Sequence, residues 1–582
     1  MNRTVADDSG RDPRLTIPGR TMIARYQREW LSRDLVAGLV LTALLVPQGM
    51  AYAELAGLPA ITGLYTSILC LVGYAVMGPS RILVLGPDSS LGPMIAATLL
   101  PLAGANGDPA RAIALASMLA LMVGAIMVIG GIGRLGFIAD LLSKPTMVGY
   151  MNGLALTILV GQLPKLFGFS VEGDGLIAEA RGFVRGVADG NTVGAALAVG
   201  VFALVLIAVV GRILPKVPAV LVAVVLSIAA SSLFQLESHG VDLVGTLPRG
   251  FPPFTIPSVH VSDLAVLFGG AAGIALVSLA DTIATASAFA ERAGNRLDAS
   301  QEMIGIGAAN LAAGLFQGFP VSTSGSRTAV AEKAGARTQV SGLVGALAIT
   351  AMLLFAPGAL RNLPQPTLAA VVISASVSLA DIPATRRLYR QNPSDFVISA
   401  AAFAGVALLG VLPGIVVAVG LSVANVFRRA WRPYQTELGK VEDLPGYHDV
   451  HSYPEAQRLP GLVVFRFDGP LFFANAQTFR DEIERIASSQ PPPRWIIVAA
   501  EPITDIDTTA ADMLEELDRA VNTLGVSLVF AEVKDPVRRK IERYELTATI
   551  DPNHFFPTVG AAVDAYCAET GVSWPSSPAP AS

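Results

Sequence analysis

The sequence predicts a polytopic α-helical membrane protein followed by a C-terminal cytoplasmic α/β domain. About fourteen spans are expected, arranged as two inverted repeats of seven with two half-helices meeting mid-membrane. Three observations carry this reading. Of 582 residues, 52% are hydrophobic and only 15% charged, against about 25% charge in an ordinary soluble domain. Only 39 of the 87 charged residues lie between positions 35 and 430, a stretch far too long to be one buried core. Beyond about Tyr434 the apolar runs stop, and short strand-like and amphipathic segments take over. Disorder is excluded, because it requires low hydrophobicity and high charge. The expected divisions are an N-terminal cytoplasmic segment 1–33, a transmembrane region 34–430, the tail domain 431–574 and a disordered end 575–582.

An apolar stretch of roughly 17–25 residues crosses a hydrocarbon core about 30 Å thick. Such stretches fall at 35–57, 60–78, 83–102, 111–131, 145–163, 193–211, 217–235, 264–290, 299–317, 326–334, 338–356, 366–380, 394–410 and 412–429, several of them short or broken. Lys and Arg concentrate in cytoplasmic connections. Alternate connections here hold Arg81; Arg134 and Lys144; Arg212 and Lys216; Arg292 and Arg296; Lys333 and Arg337; and Arg386, Arg387 and Arg390. The opposite connections are empty of basic residues or balanced by acidic ones. Both termini are therefore expected in the cytoplasm, with the chain a multi-pass protein of the plasma membrane. No cleaved signal peptide is expected, since Asp7, Asp8 and Arg11 occupy the place of an apolar run.

The broken spans point to the site. The third opens with Leu85-Gly86-Pro87-Asp88-Ser89-Ser90, and the tenth, third in its own half, with Phe319-Pro320-Val321-Ser322-Thr323-Ser324-Gly325-Ser326-Arg327. Paired short spans in corresponding positions of inverted repeats mark a transporter binding site. A helix that begins mid-membrane aims free N–H groups and partial positive charge at the gap, which suits an anion. Arg327 is costly at that depth unless it faces a cavity or counter-ion. Beside the hydroxyls of Ser324 and Ser326 it would offer charge-assisted donors to an oxyanion; the structural alternative is an ion pair with Asp281 or Glu332. Pro47 and Gly49 are expected to break the first span, with Gln48 and Tyr52 on one face after the break, lining the pocket or bonding between helices. Asp281, with Thr285 one turn on, is an intramembrane carboxylate that must pair, bind a cation or carry a proton. Glu54 is a rival proton carrier. Asp88 reads as a helix N-cap.

The run Gln48-Gly49-Met50-Ala51-Tyr52-Ala53-Glu54-Leu55-Ala56-Gly57-Leu58-Pro59 resembles the first-span signature of the sulfate permease (SulP) family. So do Gly63-Leu64-Tyr65-Thr66-Ser67 with Gly86-Pro87-Asp88, and Phe319-Pro320-Val321-Ser322 through Ser326-Arg327. The likeness covers almost the whole chain. It implies secondary anion transport by a seven-plus-seven inverted-repeat fold, an elevator-like core moving against a gate domain, and a homodimer. Family anion contacts match Gln48, Tyr52 and Ser326 with the basic residue at Arg327, and the family's coupling carboxylate falls on Asp281. Sodium-coupled bicarbonate members lack the basic residue in the tenth span. Arg327 therefore argues for proton-coupled symport of a sulfate-like anion over a sodium site.

In the tail, 462–467, 495–498 and 527–530 read as strands, with amphipathic helices at about 476–488, 508–524 and 535–545. That alternation predicts a small α/β domain, which resembles the STAS module of the same family. Thr509, in Asp505-Ile506-Asp507-Thr508-Thr509-Ala510, occupies the place of the phosphorylatable serine of free-standing relatives, while Thr508 is equally a plain N-cap.

A net charge of −5 with no basic face excludes nucleic acid as a partner; two cysteines and five histidines form no metal-ligand spacing. No cofactor, metal or catalytic constellation is expected, so the chain reads as a transporter and not an enzyme. The leading function is proton-coupled sulfate uptake. The alternatives are a sodium-coupled bicarbonate symporter or anion exchanger on the same fold, and, from another class, an anion sensor signalling through the tail.

Overall fold

The computed structural model describes residues 17–103, 108–171, 175–214, 217–293 and 297–574; the expected end segment 575–582 lies outside them. Two compact units divide the chain, one up to Ser422 and one from Val423.

Every expected span contains a helix, the last running past the boundary of the first unit at Ser422. They are α1 Leu31–Leu55, α2 Ala60–Met77, α3 Gly92–Ala103, α4 Pro109–Ile132, α5 Lys144–Leu166, α6 Gly194–Ile213, α7 Ala219–Phe234, α8 Leu264–Ala293, α9 Ala299–Gly314, α10 Gly325–Lys333, α11 Val340–Phe355, α12 Gln365–Leu379, α13 Pro393–Leu409 and α14 Val411–Trp431. Among the described residues, eight helices are long and apolar enough to cross a membrane unaided. The packing repeats between halves. Helix α4 packs on α9 as α11 packs on α2; α1 meets α11 as α8 meets α4; α5 meets α13 as α12 meets α6. Each contact thus recurs with its partners exchanged, as a pseudo-two-fold between inverted halves requires. The result is one group of helices, α1–α4 with α8–α11, and a second built on α5, α6, α12 and α13.

One expectation fails. Pro47 lies inside a continuous α1. Losing its single N–H leaves the Ala43 carbonyl without its helical donor, but neighbouring membrane helices support the segment. Close packing is what Gly49 secures. A Cβ added to Gly63 of α2 would lie 1.9 Å from the Gly49 carbonyl oxygen, so the two backbones touch, as small residues allow between membrane helices.

Two strands of two residues, β1 Leu85–Gly86 and β2 Ser322–Thr323, pair antiparallel in the register Leu85↔Thr323 and Gly86↔Ser322. Each precedes one of the short helices, α3 or α10.

The second unit carries a six-stranded sheet in the order β4-β3-β5-β6-β7-β8. Its strands are β3 Gln435–Gly439, β4 His448–Asp449, β5 Leu462–Phe467, β6 Trp495–Ala499, β7 Ser527–Ala531 and β8 Phe555–Phe556, and β5, β6 and β7 run parallel. Helices α15 Ala476–Ala487, α16 Thr508–Thr523 and α17 Asp535–Arg543 bury Phe479, Ile483, Leu514, Leu517 and Ile541 with Phe465, Phe467 and Ile496 of the sheet. Helix α18 Val559–Thr570 buries Val563 and Tyr566 with Val464, Trp495 and Ile497 on the other side. With cores on both sides, the central strands read as apolar runs and not as alternating patterns.

Candidate functional site

The site grows from the paired strands. Strand β2 is fixed from behind: Ser278 Oγ of α8 donates to the Val321 carbonyl (3.1 Å), Asn310 Oδ1 of α9 accepts from Val321 N–H (3.0 Å), and the Thr282 and Thr323 hydroxyls meet at 2.8 Å. Val84, next to β1, donates from its N–H to Thr328 Oγ1 (3.0 Å) and accepts from Ser324 N–H (3.1 Å). These bonds hold the starts of α3 and α10 against each other.

Helix α10 is N-capped by Ser324, whose Oγ accepts from Arg327 N–H (3.4 Å) and meets Ser326 Oγ at 3.1 Å. Gly325 and Ser326, the first residues of the helix, are exposed. Arg327, by contrast, is 1% exposed. Its guanidinium lies along the backbone of β1, where a Cβ on Gly86 would stand 2.9 Å from Nη1. Nε, Nη1 and Nη2 are all buried without a hydrogen-bond acceptor among the described residues. The carboxylate facing them is Asp88, with Oδ2 3.5 Å from Nη2.

That pairing corrects the structural alternative read from the sequence. Glu332 pairs instead with Arg292 (3.5 Å), and Asp281 Oδ2 accepts from Ser322 Oγ (3.4 Å). Asp88 is likewise no simple cap. Its Oδ1 accepts from Ser90 N–H (2.9 Å) and Ser90 Oγ (2.7 Å), which leaves Oδ2 toward the guanidinium.

Buried Tyr52 faces Ser89, Asp88 and Arg327. Half-buried Gln48 stands one turn before it on α1, and its side chain makes no hydrogen bond among the described residues. Asp281 lies within electrostatic reach of Asp88 and Arg327, and Thr285, one turn on, lies beside Gly325. The structure therefore gathers Tyr52, Asp281, Thr285, Ser324, Ser326 and Arg327 around the two helix starts. Glu54 sits elsewhere: its Oε1 accepts from Gln365 Nε2 of α12 (2.9 Å), and its carbonyl accepts from Lys165 Nζ of α5 (3.4 Å).

Two large cavities open on opposite connections. One of about 680 Å³ is lined by Arg81, Glu302, Glu332 and Arg337, and one of about 730 Å³ by Glu54, Gln162, Lys165 and Arg181. Arg327 lines neither. Among the described residues no group of three or more His, Cys, Asp or Glu side chains could hold a metal.

Sequence reasoning missed Asp88 as the counter-ion and Gly86 as the residue that admits the guanidinium. The signal was present, since an acidic residue in the opposite broken span is the natural partner of a deep arginine. In the tail, Thr509 is exposed at the start of α16. The cap there is Asp507 and not Thr508: its Oδ1 accepts from Ala510 N–H (2.8 Å) and its Oδ2 from Phe473 N–H (2.9 Å).

Residues 31–402 match the sulfate permease family model, and residues 453–562 match the STAS domain model. A probable sulfate transporter of Mycobacterium tuberculosis is 40% identical over 550 residues, 94% of this chain and 98% of that protein. Sulfate transporter 1.3 of Arabidopsis thaliana is 30% identical, over 93% of this chain and 85% of its own. Among solved structures, the murine solute carrier 26 family member A9 anion transporter in its inward-facing state shares the fold at a TM-score of 0.87, with 23% identity over 98% of this chain and 100% of that one. The transmembrane domain of a cyanobacterial bicarbonate transporter follows at 0.60, with 22% identity over 68% of this chain and 99% of its own. An α-helical membrane unit with two opposed short-helix starts, an α/β tail and these matches lead to one conclusion: the chain belongs to the sulfate permease family and carries a C-terminal STAS domain.

Proposed function

We propose that this chain takes up an inorganic oxyanion, sulfate being favoured, together with a proton. It would act at the plasma membrane as a homodimer with both termini cytoplasmic, residues 34–430 forming the transport part and 431–574 the cytoplasmic tail. One observation carries the reading: a fully buried guanidinium whose three nitrogens have no hydrogen-bond acceptor among the described residues, set beside an exposed helix start. Buried donors left unsatisfied are costly, and an oxyanion lying against Gly325 and Ser326 supplies acceptors to Arg327 and to the helix N–H groups at once. Gln48 and Tyr52 contribute an amide and a hydroxyl from α1. The probable-sulfate-transporter and sulfate-transporter names of the relatives favour sulfate.

The charge balance supports a coupled proton. One cation, Arg327, faces two carboxylates, Asp88 and Asp281. A dianion entering that field is repelled unless a carboxylate takes up a proton, and Asp281, held by one long hydrogen bond, is the freer of the two. Movement of α1–α4 with α8–α11 against the remaining helices then carries the loaded site between the two sides. The test is uptake of labelled sulfate into proteoliposomes. An inward proton gradient is expected to drive uptake by the unaltered chain, and Arg327→Gln to reduce it to background. Near-normal uptake by that variant would remove the assigned role, and uptake driven by sodium but indifferent to pH would remove the proton.

A further inference from the structure

Between α12 and α13 the chain forms a short amphipathic helix, Ile382–Gln391. Its inner side is pinned: Ala384 is buried, Asn152 Nδ2 of α5 donates to Thr385 Oγ1 (2.8 Å), and Asn152 Oδ1 accepts from Asp381 N–H (2.7 Å). Its outer side carries Ile382, 63% exposed, and Tyr389, 66% exposed, together with exposed Arg386, Arg387 and Arg390. None of the three arginines makes an ion pair or hydrogen bond among the described residues. The Asp381 carboxylate, at the helix start, is used in capping Ala384 N–H (2.8 Å).

The inverted counterpart, between α5 and α6, is the amphipathic helix Leu176–Ala188. It too exposes apolar side chains, Ile177, Val184 and Val187, but it mixes Glu179 with Arg181 and Arg185. Two helices in equivalent positions, joined directly to membrane spans, therefore lie at opposite surfaces with different charge. Only the one on the side expected to be cytoplasmic is purely basic. Apolar side chains flanked by cations are the composition that seats a helix in a lipid interface, and the cytoplasmic leaflet carries the anionic lipid.

We propose that the outer face of Ile382–Gln391 binds anionic phospholipid of the cytoplasmic leaflet, with Arg386, Arg387 and Arg390 holding headgroup phosphates and Ile382 and Tyr389 entering the interface. The helix is pinned to α5 through Asn152, so lipid engagement anchors the second helix group at that surface.

The test is lipid retention by the purified full-length chain in native mass spectrometry, with phosphatidylglycerol titrated against phosphatidylcholine. The unaltered chain is expected to retain phosphatidylglycerol preferentially. Each arginine contributes roughly fivefold, so the triple variant R386Q/R387Q/R390Q should lose on the order of 100-fold of that preference while keeping its phosphatidylcholine binding, which reports an intact fold. R181Q/R185Q, on the opposite helix, should keep the preference. Equal preference in the triple variant and the unaltered chain, an equal loss in R181Q/R185Q, or no preference in the unaltered chain would overturn the proposal. Sulfate uptake does not enter the readout, so its failure and the failure of the transport reading are separable.

Discussion

The starts of α3 and α10 are built alike and charged oppositely. Each follows a two-residue strand, and the strands pair. Yet the first start carries Asp88, its carboxylate half satisfied by Ser90, and the second carries Arg327, its guanidinium satisfied by no hydrogen-bond acceptor among the described residues. The scaffold is symmetric, and the chemistry is not. Two facing helix starts alone would attract any anion weakly; in the proposed function the added guanidinium makes one side the anchor, and the facing carboxylate contests it. A third helix start sharpens the point. At α16 the strand-to-helix turn is capped by Asp507, with Asp505 held by Lys540 Nζ at 2.5 Å. A helix N-terminus that carries its own carboxylates has its anion already.

Beyond the loss of uptake in Arg327→Gln, the largest effect is expected from Gly86→Ala. The added methyl group meets Nη1 at 2.9 Å, and displacing the guanidinium should lower sulfate uptake on the order of tenfold; unchanged uptake would mean the guanidinium position is unimportant. Asp281→Asn comes next. It should abolish the stimulation of uptake by an inward proton gradient while saturable sulfate binding persists, and a preserved gradient response would move the proton elsewhere. Asp88→Asn removes the competitor for Arg327. Sulfate should then bind roughly three- to tenfold tighter, the size of a partly screened charge contact, as read by equilibrium binding; weaker binding would make Asp88 a support of the site and not its rival.

The smallest effect belongs to the tail. The Thr436 hydroxyl, then the Tyr434 hydroxyl and His451 N–H, hold the Asp449 carboxyl well below the usual carboxylate range. A depressed folded pKa contributes stability above the unfolded value, about 4, and that contribution is lost as pH falls toward the folded value. Asp449→Asn should therefore lower the thermal midpoint of the tail transition slightly at pH 7, with the gap narrowing below about pH 4. An equal gap at both pH values would assign the effect to packing.

Much of this was legible in the sequence, for identifiable reasons. Span-length apolar runs locate helices without any tertiary knowledge, and the three central tail strands announce themselves at 462–467, 495–498 and 527–530, each within a residue of its observed end, because both of their faces are buried. What stayed hidden depends on partners distant in the chain. Strand β3, Gln435–Gly439, alternates too few apolar residues to stand out, and β4 and β8 have two residues each. Pro47 reads as a break because its lost hydrogen bond is local, whereas the packing that keeps α1 continuous is not. The Asp88–Arg327 pair joins residues 239 positions apart through the β1–β2 register. Tyr52 and Glu54, two residues apart, are both site candidates in the sequence, as pocket lining and rival proton carrier, but the helix turns one toward Ser89 and the other toward Gln365.

The most direct test of the assigned anchor is equilibrium binding of labelled sulfate to the purified full-length chain and to Arg327→Gln, read without any gradient or transport step. Saturable binding by the unaltered chain and none by the variant is the expected result. Binding of equal affinity in both would contradict a guanidinium-centred site.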